Sequence, residues 1–254
     1  TNNKYTMSKE KKYRIGTYLI LIPAILFLFP KVYAQHESKT INDSWKFYQG
    51  ECEAAASATY DDSAWNSIHL PHTWNTDAYT EKKYYQGTGW YRRQISIPQS
   101  WKEKQIFLKL DAASKAATIY INGKKVGEHT GGYTACTLDI TPFCSLNTPN
   151  SLAVCVDNSR QDIPPISGDF TFFGGIYRDV WLTAVSKQHF HLTNYGSEGI
   201  FISTPKVSEE KGTILIRGDI KNDATQKALL ELEHIIYHPN GSIAQSLKQS
   251  IQIK

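Results

Sequence analysis

From Asn42 onward the chain is written in short runs whose apolar residues recur at every second position, and helical spacing is scarce. A period of two puts successive side chains on opposite faces of a pleated strand, so each run predicts a strand with one face turned to a core. Residues 45–48 are the first such run. Residues 90–98 alternate in Tyr91, Arg93, Ile95 and Ile97, and residues 105–110 alternate around Ile106, Leu108 and Leu110. Residues 118–121 and 125–127 flank Asn122-Gly123, a dipeptide that accepts positive φ at both positions and closes a tight hairpin. Residues 138–141, 152–156 and 176–183 complete the set, which predicts an all-β, two-sheet antiparallel sandwich. Further runs at 189–192, 199–202, 212–220, 228–237 and 246–253, with a turn at Pro239-Asn240-Gly241, predict a second β unit from Lys187.

The opening differs in kind. Lys4, Lys9, Lys11, Lys12 and Arg14 precede an apolar stretch over residues 15–29, and Val32-Tyr33-Ala34 follows with small residues where a signal peptidase reads. The stretch is shorter than the roughly 20 residues of a membrane span. Residues 1–34 are therefore expected to be a signal peptide region cleaved before Gln35, and the mature protein to be exported, periplasmic or extracellular. The only methionine is Met7, so translation is expected to start there.

Net charge is +4, with several of the cations inside the leader, and no basic stripe argues for nucleic acid. Six Trp, 15 Tyr and 10 Phe suit a β-rich core or a carbohydrate surface. Cys52, Cys136, Cys144 and Cys155 match no zinc or Cys-x-x-Cys spacing, and the strand-like runs around them predict free core thiols, although export would permit a bridge. Gly131-Gly132 lacks the helix and lysine of a phosphate loop.

Residues 168–182 carry the most distinctive chemistry. Asp169 stands beside Phe170, Phe172 and Phe173; Gly174-Gly175 follows, and then a run read as a strand over 176–182. The glycine pair predicts a bulge or a backbone approach that a side chain would block. A carboxylate among rings suits a polyhydroxylated ligand, and it equally suits a turn cap above a phenylalanine core. Arg178 and Asp179 are expected on opposite faces of that strand, paired with charges on its neighbours. His72, Trp90, Tyr91 and Trp181 are expected to be structural.

Gly-Gly-Ile-Tyr-Arg-Asp-Val at 174–180 resembles the signature of the amino-terminal sugar-binding domain of glycoside hydrolase family 2, the β-galactosidase and β-glucuronidase group. Leu70-Pro71-His72-Thr73-Trp74-Asn75, Gly87 to Arg93, Tyr120 to Gly127, Gly131-Gly132-Tyr133-Thr134, Leu138 to Thr141 and Val156-Asp157-Asn158-Ser159 match it in the same order. The resemblance implies a jelly-roll sugar-binding domain over residues 35–186 and, over 187–254, the first part of an immunoglobulin-like sandwich. About five strands fall short of the roughly seven such a sandwich needs. The sequence is therefore expected to be the amino-terminal part of a longer protein.

Retaining glycoside cleavage takes two carboxyl groups about 5–5.5 Å apart. The family supplies them as glutamates of a (β/α)₈ barrel, one directly after an Asn. No Asn-Glu dipeptide and no barrel pattern occurs here, so no catalytic residue is assigned. Glu51 with Glu53 and Glu231 with Glu233 read as solvated pairs. The resemblance implies that Asp169 accepts hydrogen bonds from the terminal sugar and that the loop between Trp74 and Trp90 adds Asn75, Asp77, Tyr84 and Tyr85. For both tyrosines, packing and ligand stacking stay open. No metal ligand set is assigned, apart from an alkali-metal ion that the resemblance allows near Asp169. Expected partners are a carbohydrate with a terminal β-linked sugar, the catalytic barrel of the same polypeptide and, in some members, further copies in a homo-oligomer. The resemblance is read first as the non-catalytic front part of an exported family 2 glycosidase most like a β-galactosidase, inactive without its barrel. A β-glucuronidase, a β-mannosidase, a free-standing carbohydrate-binding module and a β-sandwich without sugar contact are the other readings.

Overall fold

The structure is a computed structural model that describes residues 36–75, 85–166 and 172–254. Among the described residues sixteen strands follow one another, with short 3₁₀ turns as the only helical elements between them. Ten build the sandwich: β1 His36–Thr40, β2 Trp45–Gln49, β3 Asn66–Ile68, β4 Thr88–Ile95, β5 Gln105–Leu110, β6 Ala116–Ile121, β7 Lys124–Thr130, β8 Cys136–Asp139, β9 Asn150–Asp157 and β10 Val180–Val185. Six follow: β11 Gln188–Phe190, β12 Ile200–Val207, β13 Gly212–Gly218, β14 Ile220–Asn222, β15 Ala228–Tyr237 and β16 Ile243–Ile253.

One sheet has the order β3-β2-β4-β9-β6-β7 and the other β1-β10-β5-β8, every pair antiparallel. This is the jelly roll. Its core comes from the alternation: Trp45, Phe47, Tyr91, Ile95, Ile119, Ile121, Val154 and Val156 of the larger sheet face Ile106, Leu108, Leu110, Val180, Leu182 and Ala184 of the smaller. Burial of each such side chain contributes about 1.5–3 kcal/mol, and so many of them together outweigh any other source of stability in the sandwich. The Asn122-Gly123 turn has φ of 51° and 79°, as a right-twisted two-residue hairpin requires. All four cysteines are free thiols, and burial pushes Cys136 up to about 11 and Cys144 and Cys155 to about 12.

Outer faces are covered where polarity did not announce it. Arg92 points away from the core yet is almost fully buried beneath residues 55–62. It donates to Asp62 Oδ2 at 2.8 Å, to the Ala55 and Ser57 carbonyls and to Ser151 Oγ, so every face of the guanidinium has a partner. On the smaller sheet, Phe107 and Val185 have outward parity and pack with Leu192, while the Phe107 ring meets His189 edge-on at 5.4 Å.

Three expectations need correction. Strand β1 is entirely polar and exposed, so its pairing with β10 leaves no trace in the hydrophobic pattern. The run after the glycine pair becomes a strand only at Val180, because Ile176 is held first by His72 N–H and the Tyr91 hydroxyl. Consequently Arg178 and Asp179 do not lie on a strand. Asp179 accepts from the Asn42 amide at 2.9 Å, and Arg178 is exposed with no ion pair among the described residues.

Beyond Ser186 the strands form three two-stranded ribbons, β11-β14, β12-β13 and β15-β16. Ile202, Val207, Leu229, Tyr237 and Ile243 are largely exposed there.

Candidate functional site

One end of the jelly roll gathers the segments that the resemblance singled out, and Trp74 is its keystone. The indole stacks on Phe47 with centroids 5.9 Å apart and donates to the Tyr85 carbonyl at 3.3 Å. A Cβ at Gly174 or at Gly89 would run into the indole, so both glycines are openings for this ring. Gly175, with φ of 113°, leaves no room beside the Tyr91 hydroxyl and the His72 carbonyl, and it pairs through both backbone groups with Ser114. The close approach expected at the glycine pair is thus made by Trp74 and Tyr91.

Two loops spring from this base. Asn75 is buried, and its amide donates to the Tyr85 and Phe172 carbonyls at 3.2 Å each while Oδ1 accepts from Tyr85 N–H. Both amide hydrogens and the carbonyl are engaged within the protein, so Asn75 clamps the foot of one loop to the foot of the other. Tyr85 lies edge-on to Trp74 at 6.0 Å and donates its hydroxyl to the Thr88 carbonyl; packing is the role this geometry gives it. Asp77, Tyr84 and Asp169 lie outside the described residues, as does the signal peptide region.

Two positioning residues escaped the sequence reading. Asn158 accepts from Gly87 N–H at 2.9 Å and donates to the Tyr85 carbonyl at 3.1 Å, closing the same loop from the β9 side. Lys115 is buried where four segments meet: its backbone bonds Asp157 and Gly131, its ammonium donates to the Arg160 carbonyl, and it lies 5.9 Å from the Phe172 ring centre. The signal for Asn158 was present in the matched Val156–Ser159 stretch. Lys115, a lone cation between two strands, carried none.

His72 sits between these parts. Its Nδ1 is 2.8 Å from the Tyr91 hydroxyl, its ring is tilted on Phe47, and burial holds it below the ordinary histidine range. With Pro71, Thr73, Phe173 and Tyr177 it lines a shallow depression at the surface. Among the described residues, no group of three His, Cys, Asp or Glu side chains is placed to hold a metal ion.

The sequence matches the family model described as glycosyl hydrolases family 2, sugar binding domain, over residues 34–186. The chain belongs to glycosyl hydrolase family 2. A β-glucuronidase of Bacteroides fragilis is 33% identical over 252 residues, covering 94% of this chain and 34% of that protein. A β-galactosidase of Thermoanaerobacter pseudethanolicus is 34% identical over 154 residues, covering 58% of this chain and 21% of its own length. Among solved structures, Bacteroides uniformis β-glucuronidase 2 covalently bound to cyclophellitol-6-carboxylate aziridine is 72% identical, with a TM-score of 0.85 over 87% of this chain and 26% of that one. The chain thus spans about a third or less of the length of these family 2 relatives. Its paired glutamates do not resemble a catalytic pair: Glu51 and Glu53 are exposed, and Glu231 and Glu233 share Lys248 at the surface.

Proposed function

We propose that this chain is the sugar-binding front portion of an exported family 2 β-glucuronidase, with the two bond-breaking carboxylates supplied by a catalytic barrel of the same polypeptide. The observation that carries the choice of glucuronide is the 72% identity to the Bacteroides uniformis β-glucuronidase across 87% of the chain. Asp169 and the loop bearing Asp77 and Tyr84 contact the terminal sugar in this reading. Asn75, Asn158 and Lys115 set the feet of those loops, because buried side chains already bonded to backbone groups of the protein serve position better than ligand. A carboxylate accepting from two sugar hydroxyls discriminates strongly, since a ligand lacking one leaves a buried acceptor unpaired.

The test is kinetics of the full-length polypeptide on 4-nitrophenyl β-D-glucuronide and β-D-galactoside. The glucuronide is expected to be the better substrate, and Asp169→Asn to lower its kcat/KM by about a hundredfold, roughly two charge-assisted hydrogen bonds, with the fold intact. Preference for the galactoside would transfer the chain to the β-galactosidase reading, which the 34% relative favours. Saccharide binding without hydrolysis of either substrate would favour a binding module.

A further inference from the structure

The depression lined by Pro71, His72, Thr73, Phe173 and Tyr177 has no role in the assignments above. Its floor is preorganised. Phe173 and Tyr177 are stacked at 5.7 Å with 28° between their planes, and the Tyr177 hydroxyl donates to the Gly132 carbonyl, which fixes the ring. Phe173 remains 41% exposed, although the indole of Trp74 occupies the space beside the next residue, Gly174. Tyr133, next in sequence to Gly132, is 60% exposed and extends the aromatic surface. Rigid, solvent-facing rings with few polar neighbours are the chemistry that covers the C–H face of a sugar or another flat ring.

We propose that this depression is an aglycone subsite, which receives the uncharged ring on the leaving-group side of the glycosidic bond. The inference rests on the β-glucuronidase reading and adds to it which side of the substrate this surface meets. Three observations select the occupant. First, no wall residue carries a formal charge: His72 is hydrogen-bonded to Tyr91, and burial disfavours its cationic form. A glucuronate carboxylate placed here would lose hydration with no cation among the wall residues, the exposed Arg178 beside Tyr177 standing outside the wall, whereas a neutral ring would lose little. Second, the volume is about 200 Å³, below the roughly 300–1,000 Å³ of a site for a drug-sized ligand, so it fits one ring rather than a long chain. Third, its walls lead directly into both proposed sugar loops: Thr73 precedes Trp74 and Asn75, and Phe173 follows Phe172, whose carbonyl Asn75 holds. A ring in the depression therefore lies beside the loop feet.

The experiment compares two glucuronyl donors in the full-length enzyme, phenyl β-D-glucuronide and β-D-glucuronyl fluoride, which has no aglycone ring. Phe173→Ala is expected to lower kcat/KM for the phenyl glycoside about 5- to 10-fold, the contribution of one aromatic contact, to leave the fluoride within about twofold, and to be rescued by Phe173→Trp. Tyr177→Phe, which keeps the ring and loses only the bond to Gly132, is expected to have a smaller effect in the same direction. Equal losses on both donors, no loss on either, or a lowered melting temperature without a donor-dependent change would overturn the subsite; the last would show that the rings pack against another part of the polypeptide. A wild type inactive on both donors would instead mark failure of the β-glucuronidase reading, and the subsite would fall with it.

Discussion

Strands β5 and β15 have the same pattern and opposite fates. In β5, Ile106, Leu108 and Leu110 are all but fully buried, because the larger sheet lies across from them and Phe107 on the other face is covered by Leu192. In β15, Leu230, Leu232 and His234 alternate as cleanly, yet they are only half-buried and their intervening neighbours are exposed. The difference is in what stands opposite. Alternation decides which residues share a face, whereas burial takes a tightly packed second layer, and β15-β16 meets β12-β13 only across an open cavity of about 600 Å³. The buried clusters of the described residues accordingly centre on the jelly roll.

That contrast can be broken with a single pair of substitutions. Leu108 is fully buried and Leu229 is 78% exposed. Leu108→Ala is expected to cost about 2–5 kcal/mol through lost transfer energy and the cavity left behind. Leu229→Ala should stay within about 0.5 kcal/mol. Denaturant titration of the chain measures both, and the thiols offer a local check, since all four lie in the sandwich: Leu108→Ala should speed their labelling and Leu229→Ala should not. A comparable cost at the two positions would mean that the ribbon has its own core and that the contrast is false.

The next test moves to the end of the sandwich that carries the site. Gly174→Ala places a methyl group against the indole of Trp74, a rigid ring that is itself held by Phe47 and the Tyr85 carbonyl. Overpacking of this kind costs about 1–3 kcal/mol. In the ribbons, Gly212→Ala meets open space and should be near neutral. Melting temperatures of the two variants give the comparison, and a neutral Gly174→Ala would show that the indole can move aside.

How much of this was readable beforehand follows the same division. Local signals were reliable: the Asn122-Gly123 turn, the β5 alternation and the need for glycine at 174 and 175 each depend on a few adjacent residues. What could not be read depends on residues far apart. Strand β1 is made of His36, Glu37, Ser38, Lys39 and Thr40, which no hydrophobic pattern distinguishes from a loop; only its pairing with β10 makes it a strand. The burial of Arg92 leaves no local signal, because the loop that covers it lies 30 positions upstream, at Asp62. For Asn75 the resemblance implies a ligand contact, and nothing in the sequence shows the hydrogen bonds that its side chain makes to Tyr85 and Phe172.

The smallest effect expected concerns His72, and its sign can be worked out. Burial lowers the folded-state pKa of His72 below its ordinary value of 6.5. As pH falls through 6.5 the unfolded chain takes up this proton first, which favours unfolding. The stability associated with neutral His72 is therefore present above that value and is lost as pH falls toward the depressed folded-state pKa. His72→Gln retains an acceptor for the Tyr91 hydroxyl and cannot titrate, so its melting temperature should decline less than the wild type's between pH 7.5 and 5.5. The gap should not exceed about 2–4 °C, the shift produced by one kcal/mol in a domain of this size. His191, near the β11-β14 ribbon, is also lowered by burial but is more exposed, so His191→Gln should close less of the gap. If His191→Gln closed more of it than His72→Gln, the acid-sensitive contact would belong to the ribbon and not to the sandwich.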